Sequence, residues 1–91
     1  MKLAENIREF VKINYLDPAR QSGHQTVAFR ASEIHKAMGL QQRFPAVCEA
    51  IDTDIFIEYA SVVLHKRTGP HQGPSALWTF DLLEENKTKP D

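Results

Sequence analysis

The sequence predicts an α+β fold in which short helices pack on a small antiparallel sheet. Three patterns support this prediction. Apolar residues recur at helical spacing over residues 2–16, and two short helical segments meet at Gly39-Leu40. Two apolar runs, Val62–Lys66 and Ala76–Leu82, then flank a segment rich in glycine and proline. The expected order is therefore helix, strand, helix, helix, strand, extended turn, strand.

Length and composition indicate one domain with one core. The chain has 91 residues, of which 42% are hydrophobic and 25% charged, as in ordinary globular domains. Eleven basic residues against twelve acidic ones give a net charge of −1, which excludes a protein that coats nucleic acid through a global positive field. We expect the domain to cover residues 1–83 and the polar residues 84–91 to form a disordered tail.

The cellular setting is predicted from the cysteine content and the first residues. Cys48 is the only cysteine, so an internal disulfide is excluded. Charged residues occupy the N-terminus where a signal peptide needs an apolar core, and no apolar run approaches the length of about 20 residues that spans a bilayer. These observations favour a cytoplasmic protein with no membrane partner.

The N-terminal half begins with an amphipathic helix. Its apolar side is formed by Leu3, Ile7, Phe10, Val11 and Tyr15. Because proline disfavours a helical predecessor and lacks a donor, we expect Asp17-Pro18 to end this helix and a loop to follow over Ala19–Gln25. The alternation in Thr26–Arg30 predicts a short strand, the third in the sheet that the later hairpin completes.

The two central helices have clear start and stop residues. Ser32 is the expected N-cap of the first, and Gly39 its C-terminal stop with Leu40 packing back. We expect Ile34, Ala37 and Met38 to form its apolar side. Pro45 belongs in the first turn of the second helix, which predicts a start near Arg43 or Phe44. Val47, Ala50 and Ile51 should face inward in that helix, and Gln42, Arg43, Ala46 and Glu49 outward.

The C-terminal half ends in a hairpin. Residues 55–60 are expected to form a short helix ahead of it. Trp78, Phe80 and Leu82 alternate along the last strand and should share its buried face. The glycines and prolines of Lys66–Ser75 exclude regular structure, so this segment is predicted to be an extended hairpin tip.

The order of these elements resembles the winged helix-turn-helix family over Lys2–Leu83. The residues that carry the resemblance are Ser32-Glu33-Ile34 at the first motif helix, Gly39-Leu40 at the turn, Val47 and Ile51 in the second motif helix, and Lys66–Ser75 as the wing. The sequence is also similar to small archaeal proteins that share the pattern R-A-x-x-[IV]-H-x-x-x-G-L, here from Arg30 to Leu40, followed by Pro-Ala-Val-Cys. One departure from the winged-helix pattern is Pro45, which lengthens the turn.

The resemblance implies binding to double-stranded DNA, as in a small transcription regulator. The second motif helix would lie in the major groove and the wing on the backbone. Arginine can pair with guanine and glutamine with adenine, which suits Gln41, Gln42 and Arg43 at the start of that helix. The full set of candidate DNA contacts is Ser32, Lys36, Gln41, Gln42, Arg43, Ala46, Lys66, Arg67 and His71, with His35 as a further backbone contact.

An alternative is a winged-helix module or adaptor that binds protein and makes no nucleic-acid contact. Glu49 lies on the expected DNA-facing side, where a carboxylate repels phosphates. Five basic and five acidic residues balance between Arg30 and Gly73. Exposed Phe44, Tyr59 or Trp78 would then anchor the partner, since aromatic residues are enriched at interface hot spots. A homodimer through the first helix is compatible with either function.

Catalytic and metal sites are not indicated. The candidate ligands His24, His35, Cys48, His65 and His71 lack the close pairs that zinc sites use. The segment Thr68–Gly73 has neither the lysine nor the following helix of a phosphate-binding loop. We therefore expect a protein that is not an enzyme and has no cofactor or metal, with Cys48 as a small buried apolar side chain.

Overall fold

The computed structural model describes residues 2–83, and in this part of the chain the protein is an α+β domain with a three-stranded antiparallel sheet. The prediction of an α+β domain with a small antiparallel sheet is therefore confirmed. The predicted tail, residues 84–91, lies outside the described residues. In chain order the elements are α1 (Leu3–Val11), a π-helical segment (Lys12–Leu16), α2 (Asp17–Gln21), β1 (Thr26–Arg30), α3 (Ala31–Ala37), α4 (Phe44–Ile51), α5 (Asp54–Ala60), β2 (Val62–Thr68) and β3 (Leu77–Leu82).

The N-terminal helix does not end at Asp17-Pro18, so that prediction was wrong. A π-helical segment, Lys12–Leu16, joins α1 to α2, and Pro18 occupies the first turn of α2, where a missing N–H is least costly. The Asp17 carboxylate accepts from the Lys12 ammonium at 3.2 Å. Residues 19–21, expected in a loop, are therefore helical.

The wider π-helical turn also changes which residues reach the core. Ile7 and Val11 are four residues apart and fully buried, as their α-helical spacing predicts. The next buried residue is Leu16, five residues after Val11, a spacing that would not share a face in a regular α-helix. The π-helical segment brings Leu16 into the core and leaves Ile13 53% exposed.

The sheet has the predicted three-strand pairing. β3 lies in the centre, with β1 and β2 antiparallel on either side of it. Phe29 is opposite Trp78 and Leu64 is opposite Phe80, and a bulge interrupts β2 between Leu64 and Lys66. Trp78 and Phe80 are buried as expected, so the helices cover one face of this sheet.

The sequence predicted the end of α3 correctly but not its start. Gly39 has a φ of 69°, and the N–H groups of Gly39 and Leu40 donate to the carbonyls of Lys36 and His35, as in a Schellman C-cap. The predicted stop is confirmed. Ser32 is not the N-cap, because the helix begins at Ala31 and no side chain caps it.

Two predictions about the facing of side chains were also wrong. Ala37 is exposed rather than on the apolar side of α3. Ala46, expected to face outward, is half-buried and packs against the core. Val47, Ala50 and Ile51 are buried as predicted, so α4 has little free surface.

A separate helix, α5, lies between α4 and the hairpin, as expected for residues 55–60. The Thr53 hydroxyl accepts from the Phe56 N–H at 3.2 Å and caps its start. Phe56 is fully buried, with its ring 5.3 Å from that of Phe80. The helix α2 was not predicted, and neither α2 nor α5 belongs to the expected order of helix, strand, helix, helix, strand, extended turn, strand, so the observed order differs from it.

Candidate nucleic-acid interface

The turn between α3 and α4 gathers several of the predicted DNA contacts. Lys36, Gln41, Gln42 and Arg43 are all exposed, and we call these four residues the turn cluster. No acidic residue lies in the stretch from His35 to Pro45. The turn cluster therefore presents two cations and two amides, and the nearest carboxylate in sequence is Glu33, three residues before Lys36.

His35 holds the turn cluster to the domain. Its Nε2 accepts a hydrogen bond from the Arg43 backbone N–H at 3.1 Å. Its ring also stacks on Phe44, with 4.0 Å between centroids and 16° between planes. The half-buried His35 ring therefore connects α3 to the turn through Arg43 and to the start of α4 through Phe44.

Gln42 has an unusual backbone conformation for a residue with a side chain. Its φ is 55°, in the left-handed region that favours glycine. The chain bends at Gln41 and Gln42, between α3 and α4. The side chains of Gln41, Gln42 and Arg43 are exposed in succession.

Arg67, a predicted wing contact, is turned toward its own domain. Its Nη1 donates to the carbonyls of Gly69 at 3.2 Å and Pro70 at 2.9 Å, and its Nη2 donates to that of His71 at 2.9 Å. Asp52 takes up the remaining side of the guanidinium, with an Nη2–Oδ2 distance of 3.0 Å. The hydrogen bond with Asp52 also raises the pKa of Arg67.

The backbone of residues 74–76, just ahead of β3, covers the start of α3. The Ala31 N–H donates to the Ala76 carbonyl at 2.9 Å, and the Ser32 N–H donates to the Pro74 carbonyl at 3.0 Å. These carbonyls occupy donors that an approaching phosphate would otherwise use. Ser32 is itself half-buried, so the structure does not group it with the exposed turn cluster.

The remaining wing candidates, Lys66 and His71, are exposed. Lys66 lies in β2, the strand at one side of the sheet, and His71 lies at the hairpin tip. The structure does not bring either residue into contact with the turn cluster through a described hydrogen bond or ion pair. They remain separate candidate contacts.

The surface beyond the start of α4 has the opposite charge. From Phe44 to His65 the sequence contains four acidic residues and no lysine or arginine. Glu49, the outward residue of α4, accepts from the Gln72 side chain of the wing at 3.2 Å. Arg67 neutralises Asp52, and the other three carboxylates, Glu49, Asp54 and Glu58, would repel phosphates. The expected contact between α4 and the major groove is therefore electrostatically unfavourable.

A cleft of about 480 Å³ lies between α1, α4 and the wing. Arg8 is on its α1 side, where the guanidinium Nε donates to the Ala50 carbonyl at 3.0 Å. Cys48 lines it from α4, and burial, with a smaller contribution from Asp52, raises the pKa of this thiol. The predicted apolar, unreactive role of Cys48 agrees with this environment.

Asp52, at the end of α4, holds the hairpin tip through Arg67, a role that the sequence did not reveal. Its Oδ1 accepts from the buried Trp78 indole at 2.7 Å and from the Arg67 Nε at 3.3 Å. A buried tryptophan needs an acceptor for its N–H, which is the signal that could have indicated a polar partner. The sequence could not identify which residue it is.

The described residues contain no group of three or more potential ligands that could hold a metal ion, and no helix among them is long and apolar enough to cross a membrane. A scan against protein-family models, a search of curated proteins and a search of solved structures each found no match to this chain.

Proposed function

We propose that the chain is a winged-helix module that binds double-stranded DNA through the turn cluster, Lys36, Gln41, Gln42 and Arg43. The observation that carries the proposal is the exposure of these four polar side chains in a turn without carboxylates. A small transcription regulator is one protein that would use such a module.

The arrangement of the sheet supports the winged-helix part of the proposal. The strand ahead of the helix pair, β1, pairs with the second strand of the hairpin, β3. The helix pair α3 and α4 thus lies between a strand and the hairpin that closes the same sheet. The long tip between β2 and β3, residues 69–76, takes the position of a wing.

The mode of contact differs from the one expected from the resemblance. Because α4 is mostly buried and its outward Glu49 is acidic, the turn ahead of α4 is the part that reaches the duplex. Arg43 and the two glutamines have the donor and acceptor geometry for guanine and adenine edges. Lys36 contacts a phosphate, which positions the module without reading sequence. Exposed Lys66 and His71 would add backbone contacts from the hairpin.

The test is a titration of the protein into labelled duplex DNA at low and moderate salt. We expect binding that weakens steeply with salt, because neutralised phosphates release counterions. Arg43→Ala should weaken binding by about tenfold, the loss of one good base contact. Lys2→Ala removes one exposed cation far from the turn in sequence and is the matched control. No binding at low salt, or equal losses in the two variants, contradicts the proposal.

A protein-interaction module without nucleic-acid contact is the second candidate. The specific observation in its favour is the stretch from Phe44 to His65, with four carboxylates and no lysine or arginine. Of its predicted aromatic anchors, Trp78 is buried and Phe44 is half-buried, whereas Tyr59 is 45% exposed. This candidate predicts a protein that shows no affinity for duplex DNA at any salt concentration.

A further inference from the structure

The outward face of α5 carries two exposed apolar side chains. Ile55 is 61% exposed and Tyr59 is 45% exposed. They lie four residues apart in the same helix, so their side chains are neighbours on one side of it. The opposite side of α5, with Phe56 and Ala60, is buried. The exposure of Ile55 and Tyr59 is therefore not a consequence of a loosely packed helix.

Both charged residues of α5 are acidic, and Arg20 of α2 reaches only the end of this helix, where its Nη2 donates to the carbonyls of Ala60 and Ser61. Asp54 and Glu58 are exposed on the same helix and directly precede Ile55 and Tyr59. No lysine or arginine lies in α4, in α5 or in the residues between them. We call Asp54, Ile55, Glu58 and Tyr59 the α5 face. It combines an apolar pair with two carboxylates that have no basic neighbour on their own helix.

A second copy of the chain is a poor occupant for the α5 face. A two-fold symmetric dimer brings the same patch of both copies together. Asp54 and Glu58 of one copy would then meet their own counterparts, which repel at close range. Four side chains are also too few for the surface of about 800 Å² per partner that a stable interface buries. A short segment of opposite charge suits the α5 face better.

We propose that the α5 face binds a cationic, amphipathic segment of a partner protein. Apolar side chains of that segment pack on Ile55 and Tyr59, and its lysines or arginines pair with Asp54 and Glu58. Tyrosine is well suited to anchor such a contact, because it offers a large apolar surface and a hydroxyl. The same carboxylates discriminate against anionic partners, including nucleic acid.

This proposal does not rest on DNA binding. The turn cluster precedes α4 and the α5 face follows it, so the two surfaces belong to opposite ends of an eight-residue helix. A helix of that length is about 12 Å long. The module can therefore hold a protein partner at one end of α4 while the other end stays free for a duplex.

The experiment uses a synthetic amphipathic peptide of leucine and lysine, and the same peptide with glutamate in place of lysine. Binding to the whole protein is measured by isothermal titration calorimetry. We expect the lysine peptide to bind and the glutamate peptide not to bind. The double variant Ile55→Ser, Tyr59→Ser should weaken binding by about tenfold, and Asp54→Asn with Glu58→Gln by about fivefold.

Two controls separate this contact from general stickiness. Ile13→Ser removes an isoleucine of similar exposure, 53% against 61% for Ile55, from the N-terminal helical region and should leave the affinity unchanged. Glu5→Gln with Glu9→Gln removes two exposed carboxylates from α1 and should also leave it unchanged. Because all these side chains are exposed, the variants should fold, and circular dichroism confirms this.

Several outcomes overturn the proposal. Equal binding of both peptides, or equal losses in the α5 and α1 variants, shows that the α5 face does not select a cationic segment. Sedimentation of the wild-type protein as a dimer or polymer that Tyr59→Ser dissociates shows that a second copy covers the α5 face. DNA titrations of the same variants distinguish the two proposals, since the α5 variants should leave any duplex affinity undiminished.

Discussion

Asp52 binds both Arg67 and Trp78 through one carboxylate. It accepts two hydrogen bonds from the Arg67 guanidinium and one from the buried indole of Trp78. The guanidinium carbon also lies 5.4 Å from the centre of the Trp78 ring. Since Arg67 donates in addition to three wing carbonyls, Asp52 connects the end of α4 to the hairpin tip.

Replacement of Arg67 by alanine should destabilise the fold. Its side chain is only 18% exposed and holds Asp52 and the wing backbone together. Hydrogen bonds to charged groups contribute about 1.5–3 kcal/mol each, but the partial exposure of this pair favours the lower end. We expect the free energy of unfolding to fall by about 1.5–2 kcal/mol, measured by urea denaturation with Trp78 fluorescence.

The neighbouring Lys66 is the matched control for this prediction. It is exposed and has no described ion pair, so Lys66→Ala should change the free energy of unfolding by less than about 0.5 kcal/mol. Equal effects of the two substitutions would show that Arg67 does not hold the wing in solution.

A methyl group at Gly69 should be much more damaging than one at Gly23. Both glycines have positive φ, 89° and 82°, so alanine is strained at each by about 1–2 kcal/mol. A Cβ at Gly69 would also lie 2.6 Å from the Ser75 carbonyl oxygen, whereas nothing lies within 4 Å of one at Gly23. Backbone must move to admit the first methyl group.

We therefore expect Gly69→Ala to lower the free energy of unfolding by at least about 1 kcal/mol more than Gly23→Ala, as overpacking against a rigid neighbour does. Thermal denaturation of the two variants measures the difference. Equal melting temperatures would mean that the two sides of the wing are not in close contact at this position.

Local patterns were enough to predict much of the fold. Gly39 ended α3 because a left-handed C-cap needs only the residue type at one position. The strand β1 was predicted from the alternation in Thr26–Arg30. Exposure of Gln42 and Arg43 was predicted from the inward spacing of the apolar residues Val47, Ala50 and Ile51. Each of these predictions depended on neighbours within a few residues.

The predictions that failed depended on contacts between distant residues. A proline after Asp17 normally ends a helix, but the π-helical segment brings Leu16 into the core and moves Pro18 to the first turn of α2. Ser32 is a good N-cap residue, yet the carbonyl of Pro74 takes up its N–H. The burial of Leu16 cannot be inferred from the sequence around Pro18. The position of the Pro74 carbonyl cannot be inferred from the sequence around Ser32.

Gln42→Gly should stabilise the protein. Glycine adopts the φ of 55° without the cost of about 1–2 kcal/mol that a side chain incurs, although its greater freedom in the unfolded chain returns about 0.5–1 kcal/mol. We expect a net gain of about 0.5–1 kcal/mol in the free energy of unfolding. Gln41→Gly is the control, because the φ of Gln41 is not positive and glycine there should destabilise by a similar amount. Gains or losses of the same sign in both variants would contradict the turn geometry.

Stability should decline at alkaline pH, in part because of Cys48. Burial raises the pKa of its thiol above the ordinary value, so the unfolded chain loses this proton first as the pH rises. The contribution of the neutral thiol is thus complete below about pH 8.5 and is lost as the pH rises through the higher pKa of the folded state. Burial, and to a lesser extent Glu33, also raises the pKa of Tyr15, which adds a later decline in the same direction.

Urea denaturation at a series of pH values from about 7 to about 10 measures this decline around the ordinary thiol pKa. Cys48→Ala removes the titrating thiol and should flatten the curve between about pH 8.5 and about pH 10, by at most about 1.4 kcal/mol per pH unit for one proton. The decline from Tyr15 should remain, because the substitution leaves the phenol in place. Identical slopes for the wild-type protein and Cys48→Ala would show that the thiol titrates alike in the folded and unfolded states, and that burial does not protect it.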